Sequence, residues 1–289
     1  MLTFSHGQKG DVPAQRELKV PHRLFGIAAD EEAQELFITA QWPAAVFVYR
    51  KGAEGREAPL RILEGPKTQL AATQGIVLDT ENQAFYVANW GYRSEILEGK
   101  AYSDIPVTGR GIYRTWPMPD KWYAFWRNHR YVPGSGKMDP PSIAVFPLKA
   151  SGNTPPLRMI QGSNTQLDWP AHISLDVEHQ ELFVSNTMEN SVLVFRATDS
   201  GNAAPIRVLK GPKTEIDRPL GMYYDPKHQE IVVSNWGNQR AVVFPRTAQG
   251  DSAPVRRIRS APEGTQAPMV SHLGSMTYDT KRDEILVHQ

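Results

Sequence analysis

The sequence predicts an all-β chain folded as a β-propeller. Three observations predict it: an acidic turn that returns about every 49 residues, a fixed spacing inside each unit, and short β-branched or aromatic runs bounded by Gly, Pro, Asn and Asp. The turns are DEEAQELFI from Asp30, DTENQAFYV from Asp79, DVEHQELFV from Asp176, DPKHQEIVV from Asp225 and DTKRDEILV from Asp279. Asp30 to Asp79 and Asp176 to Asp225 are each 49 residues, and Asp225 to Asp279 is 54. Asp30 to Tyr49, Asp176 to Phe195 and Asp225 to Phe244 are each 19. From that aromatic residue the next landmark, Gly55, Gly152, Gly201 or Gly250, is 6 residues on, and Arg61, Arg158, Arg207 or Arg256 is 6 further.

Each unit reads as four strands. Strand a is GIAAD or GMYYD, strand b is ELFIT, ELFVS or EIVVS, strand c is AVFVY, VLVF or AVVF, and strand d is APLRIL, APIRVL or APVRRI. One such sheet cannot bury both of its faces, but sheets stacked radially cover one another. Each fully buried Val, Ile or Phe then contributes ~1.5–3 kcal/mol. A β-sandwich has no need of a 49-residue period, and solenoid repeats are usually shorter.

The ends carry the same spacing. Phe4, Gly10 and Arg16 repeat the register of Phe195, Gly201 and Arg207, so the N-terminal segment reads as strands c and d. Asp279 opens an a–b hairpin that runs to Gln289. The expectation is five four-stranded blades, closed by pairing of the N- and C-terminal strands, in a single domain spanning residues 1–289. Closure of this kind removes exposed sheet edges. The alternative is six blades, either with the 91–141 insertion as a degenerate blade or with the chain cropped from a longer ring.

That insertion follows from the spacing too. Asp79 to Phe146 is 67 residues against 19 elsewhere, so 48 residues are added between strands b and c of one blade. It holds Tyr113, Trp116, Trp122, Tyr123, Trp126 and Tyr131, and long loops in compact domains are commonly functional. It reads as a long b–c loop over one face of the ring.

Bulk properties narrow the function classes. The net charge of +1, from interleaved acids and bases, gives no nucleic-acid footprint. Without cysteine there is no disulfide or thiol chemistry. No apolar run reaches the ~20 residues that span a bilayer, and MLTFSHGQKGDV lacks the pattern of a signal peptide. A monomer is expected.

The candidate ligand-binding residues sit at two points of the repeat. Asn89 with Trp90, and Asn235 with Trp236, close strand b; Asn186 is the third amide there and Trp42 lies one place off. Amides and indoles at a channel mouth suit a sugar, a cation or a small ring compound. The structural alternative is that Asn serves the turn and Trp covers the rim. His22, His172 and His272 precede strand a, and His129 lies in the insertion; these are candidates for a divalent metal (Ca, Mg or Zn) or for a general base, against an alternative of scattered turn histidines. The recurring Asp30, Asp79, Asp176 and Asp225 read as turn caps. The recurring arginines read as partners of acids on adjoining blades or as solvated. No catalytic residue is assigned, and no GxSxG, HExxH or phosphate loop is present.

The pattern "PxGIxxD…ELFVSNxxxNSVLVF" resembles the repeats of NHL-type and lactonase-like propellers over nearly all of the chain outside 91–141. That resemblance implies a ligand face made by the d–a and b–c loops. It implies a binding propeller for a small molecule, glycan or protein, or alternatively a metal-dependent lactonase or lyase of the six-bladed superfamily. Lactonase members use a Glu, an Asn and an Asp as metal ligands; Asn186 or Asn235 matches the amide, and the carboxylates have no assigned match. The resemblance also implies a periplasmic or secreted protein.

Overall fold

The computed structural model of the chain describes residues 1–4, 11–20, 24–41, 44–93, 96–98, 129–131, 137–259, 276–279 and 284–287. Its strands are β1 (Leu2–Thr3), β2 (Arg16–Glu17), β3 (Leu24–Asp30), β4 (Glu35–Ala40), β5 (Ala45–Arg50), β6 (Arg61–Leu63), β7 (Thr73–Asp79), β8 (Ala84–Asn89), β9 (Tyr92–Arg93), β10 (Ile96–Glu98), β11 (His129–Tyr131) and β12 (Lys137–Met138). They continue with β13 (Ser142–Pro147), β14 (Arg158–Gln161), β15 (Pro170–Asp176), β16 (Glu181–Asn186), β17 (Ser191–Arg196), β18 (Arg207–Lys210), β19 (Pro219–Asp225), β20 (Glu230–Asn235), β21 (Ala241–Pro245), β22 (Arg256–Ile258), β23 (Met276–Asp279) and β24 (Glu284–Val287).

Among the described residues the strands form four antiparallel four-stranded blades. Blade I is β3-β4-β5-β6, blade II is β7-β8-β13-β14, blade III is β15-β16-β17-β18 and blade IV is β19-β20-β21-β22. Strand a of each blade packs on strand a of the next: β3 on β7, β7 on β15, β15 on β19 and β19 on β23. The fold is therefore all-β and propeller-like. β1 pairs with β2 and β23 with β24 in separate two-stranded ribbons; no ladder joins Leu2–Thr3 to Glu284–Val287 among the described residues.

The apolar core lies between the sheets. Tyr86, Ile143 and Ile160 of blade II meet Leu182, Val184 and Phe195 of blade III, all buried. On the other side of the same strand, Phe183 joins Met222, Ile231 and Phe244 of blade IV. This period of two along β16 is what a sheet buried on both faces requires.

Polar locks repeat with the blades. Leu63, Ile160 and Leu209, which end or nearly end strand d, form parallel bridges to Gly152, Gly201 and Gly250 of the following blade, and Leu18 after β2 does the same to Gly55. These four glycines sit at φ +59, +56, +62 and +60 in chain order, the left-handed region that favours Gly. The arginine at the head of strand d reaches the glutamate at the head of strand b in its own blade. Arg61 Nη1 and Nη2 donate to Glu35 Oε1 and Oε2 at 2.8 Å, and Arg207 does so to Glu181 at 2.7 Å. The expected partner on an adjoining blade is instead a backbone carbonyl: Leu148 O for Arg61 at 3.1 Å and Arg246 O for Arg207 at 3.4 Å. Antiparallel ladders bring strands b and d to the same end of one sheet, so the nearest acid belongs to the same blade. The four aspartates cap their turns, with Asp30 Oδ1 accepting from the amides of Glu32 and Ala33 and Asp225 Oδ1 from those of Lys227 and His228.

The insertion leaves blade II as an extension of its b–c hairpin. β9 pairs with β12 and β10 with β11, continuing the β8–β13 ladder outward. Gly91 starts it at φ +98, where an added Cβ would lie 2.0 Å from Asp139 O, and Arg93 pairs with Asp139 across the root.

The Arg61–Glu35 pair yields a pH prediction. The Arg61 guanidinium, opposed by burial and aided by Lys149, lowers the Glu35 pKa to about 2 from an ordinary 4.5. A depressed carboxylate pKa contributes stability above about 4.5 that is lost as pH falls toward about 2. Glu35→Gln should flatten the fall in urea midpoint between neutral pH and pH near 3, and should destabilise the protein at neutral pH by ~3 kcal/mol. Equal acid sensitivity of variant and wild type would remove Glu35 from this role.

Candidate functional site

In an a-b-c-d sheet the b–c turns and d–a connectors share one end. The connectors there are built alike. Pro66–Thr68, Ser163–Thr165 and Pro212–Thr214 are single 3-10 turns, each closed by the Thr hydroxyl donating to a glycine carbonyl three residues back, at 2.6–2.7 Å. A side chain of the next blade caps each turn: Asn153 Oδ1 accepts from the Lys67 amide, Asn202 Oδ1 from Asn164 and Asp251 Oδ1 from Lys213, all at 2.7 Å.

Asn89, Asn186 and Asn235 are fully buried and pin strand b to these connectors. Asn89 Oδ1 accepts from the Ala71 amide at 3.2 Å and Asn186 Oδ1 from the Asp168 amide at 2.6 Å. Asn186 Nδ2 donates to Gln166 O at 2.9 Å and Asn235 Nδ2 to Glu215 O at 2.8 Å, while Asn235 Oδ1 is buried without a partner. The three amides thus face the connectors of their own blades rather than meeting one another.

The indole after Asn89 is differently placed. Trp90, partly exposed, stacks on Trp169 with ring centroids 4.4 Å apart and planes 19° from parallel, and Phe25 lies 6.2 Å from it, tilted by 52°. Phe25 comes from strand a of blade I, Trp90 from the end of strand b of blade II, and Trp169 from the residue before strand a of blade III. Trp90 Nε1 is buried with no hydrogen-bond partner. Trp236, at the matching point of blade IV, carries the Arg218 guanidinium 5.0 Å over its ring, a cation–π contact. Arg218 occupies in blade IV the position that Trp169 holds in blade III; both have left-handed backbone, φ +48 and +52.

Sequence reasoning singled out Trp90 and missed Trp169 and Phe25. The available signal was Trp169 itself, an aromatic residue just before strand a, where the other units have Ala72 and Arg218.

His172 lies inside strand a, third in β15, rather than before it. It holds the position of Gly26, Gly75 and Gly221 in the other blades. Gly26 and Gly75 mark where neighbouring inner strands touch: a Cβ on Gly75 would lie 2.8 Å from Ala171 O and 2.9 Å from His172 Cα. The ring is directed toward blade IV. Burial pushes its pKa below the ordinary 6.5, the Met222 backbone opposing, and Nδ1 is buried without a partner. The Ser185 hydroxyl accepts from the His172 amide at 2.7 Å and donates to the Leu220 carbonyl at 3.2 Å, fastening the two inner strands. His129 lies on β11, paired in register with Glu98. Trp42, His22 and His272 lie outside the described residues. Among the described residues no three His, Asp or Glu side chains converge as a metal-holding group.

No protein-family model matches the chain, and no curated protein matches it in sequence. Among solved structures it is similar to a functionally unknown protein from Desulfotomaculum acetoxidans DSM 771, with a TM-score of 0.53 and 8% identity. The match covers 94% of this chain and 64% of that one, so this chain spans under two-thirds of that protein's length. At such identity the likeness concerns the fold alone.

The lowered His172 pKa gives a second pH prediction. A histidine depressed in the fold is protonated first in the unfolded chain, so stability is retained above about 6.5 and declines below it. His172→Gln should narrow the loss of urea midpoint between pH 7.5 and pH 5.5, and NMR titration should show the wild-type imidazole titrating below the ordinary 6.5. An imidazole titrating at or above its ordinary value would contradict the burial described.

Proposed function

We propose that this chain is a binding propeller whose ligand site is the aromatic mouth formed by Phe25, Trp90 and Trp169. The observation that carries this reading is the convergence of three rings from three consecutive blades, Trp90 on Trp169 at 4.4 Å and Phe25 beside them. Partly exposed ring faces suit a sugar, a small ring compound or an organic cation. The insertion supports the same reading, because it starts at Gly91, next to Trp90. On this view residues 91–141 stand over the mouth and His129 travels with them. Kinship with the NHL-type and lactonase-like propellers belongs to this reading, with a small molecule, glycan or protein as partner.

Titration of tryptophan fluorescence against a panel of oligosaccharides, small aromatic compounds and quaternary ammonium ions tests it. Binding by one class is expected, weakened roughly 3- to 10-fold by Trp90→Ala and by Trp169→Ala. Unchanged affinity in both variants would move the site elsewhere.

We also infer that the two terminal ribbons make up a fifth blade. Leu18 bridges Gly55 as the other strand-d ends bridge their neighbours, and β23 packs on β19 as the other inner strands do. Matching the repeats sets Thr3 opposite Leu286, by analogy with Val194 opposite Phe183. The chain has no cysteine, so Thr3→Cys with Leu286→Cys creates a single pair. Oxidation should form the disulfide quantitatively and stabilise the protein by ~2–4 kcal/mol. Failure to form it under oxidising conditions would rule out the shared blade.

A further inference from the structure

A separate cleft opens on blade III, on the outer side of the same end. Its volume is about 370 Å³, within the range of small-ligand pockets, and its walls are Gln166, Asp168, Asn186, Glu189, Ser191 and Lys210.

The repeat supplies a comparison inside the molecule. In blade IV, 49 residues on, Glu215 stands for Gln166, Asp217 for Asp168, Asn235 for Asn186 and Arg240 for Ser191. There the chain fills the space with its own cation. Arg240 Nη1 donates to Glu215 Oε2 at 3.2 Å, and Arg257 pairs with Glu215 Oε1. In blade III the arginine is replaced by Ser191 and its carboxylate by Gln166, so both the guanidinium and its volume are missing.

The charges that remain do not balance. In blade IV the matching Asp217 pairs with Arg218 at 3.5 Å, but Trp169 stands in place of Arg218 in blade III and Lys210 pairs with Glu189, so Asp168 has no cation partner in the described structure. The Asp168 backbone is held by Asn186, at 2.6 Å, so its position is fixed by the fold. Burial, and then the nearby Glu189 charge, push the Asp168 pKa up, as befits a carboxylate without compensation.

We propose that the blade III cleft binds the guanidinium or ammonium group of an external ligand, seated against Asp168 where blade IV supplies its own cations, Arg218 on Asp217 and Arg240 on Glu215. The group has two sources, a free small cation or an Arg or Lys side chain of a peptide. The proposal rests on the blade comparison and not on the aromatic mouth, so either can fail alone.

The probes are N-methylguanidinium, n-butylammonium and a blocked tetrapeptide with one central arginine, followed by NMR and calorimetry. At least one should bind saturably with a Kd below about 20 mM, shifting the amides of Asp168, Asn186 and Ser191. Asp168→Asn should weaken binding about 10-fold or more, a charge-assisted contact being lost. Gln166→Glu with Ser191→Arg rebuilds the blade IV pair and should abolish binding while the thermal midpoint holds. A peptide that binds about 10-fold tighter than N-methylguanidinium identifies a protein side chain as the source; equal or weaker peptide binding identifies a free cation. No saturable binding by any probe, or undiminished binding in both variants, overturns the proposal.

Discussion

Strand b of blade III, Glu181–Asn186, is apolar on both sides: Leu182 and Val184 face blade II, and Phe183 faces blade IV. The same holds in blade I, where Ile38 and Phe37 belong to different cores, and neither core is complete without a neighbouring segment. A sheet of this kind has no stable existence alone, because either face left in water loses the burial of several large side chains. Everything else in the molecule follows from the need to cover both faces. The sheets must stack, their inner strands must touch, and most buried polar groups sit near the ends of each sheet or on its outer strand.

The polar locks are arranged to let the sheets approach. Glycine at the middle of strand a keeps neighbouring backbones in contact at Gly26 and Gly75. Hydroxyls of strand b, from Thr39 and Ser185, tie the irregular start of their own strand a to a carbonyl in the next one. Arginines on strand d hold the outer edge by pairing with a glutamate and a neighbouring carbonyl at once. Bidentate pairs of low exposure fix orientation as well as distance. Such a frame is insensitive to what occupies the ends of the sheets, which leaves those positions free to vary.

The departures from the repeat are where both proposed sites arise. Blade II lacks the strand-b glutamate, having Ala84, and its Arg158 turns to the Tyr86 hydroxyl at 3.0 Å. Its b–c turn is replaced by the long insertion. Blade III puts His172 in place of glycine, Trp169 in place of Ala72 or Arg218, and Ser191 in place of Arg240. The aromatic stack and the blade III cleft both arise at such positions, around the junction of blades II and III. The regular positions, including the buried asparagines, serve the architecture.

Local sequence was enough to read the four-stranded unit, its period, the turn-capping aspartates and the insertion point between Asn89 and Ser142. These are local properties: alternation along a strand, a capped turn and a fixed loop length leave their mark within one repeat. It also pointed to Trp90, through the paired Asn–Trp–Gly at 89–91 and 235–237. Tertiary structure alone decided that Trp90 stacks on Trp169 and lies beside Phe25, that Asn186 faces inward to a connector, and that His172 is wedged between two inner strands. Those relations join residues of different blades, and the angle and spacing between neighbouring sheets are set by the sum of core contacts rather than by any single repeat.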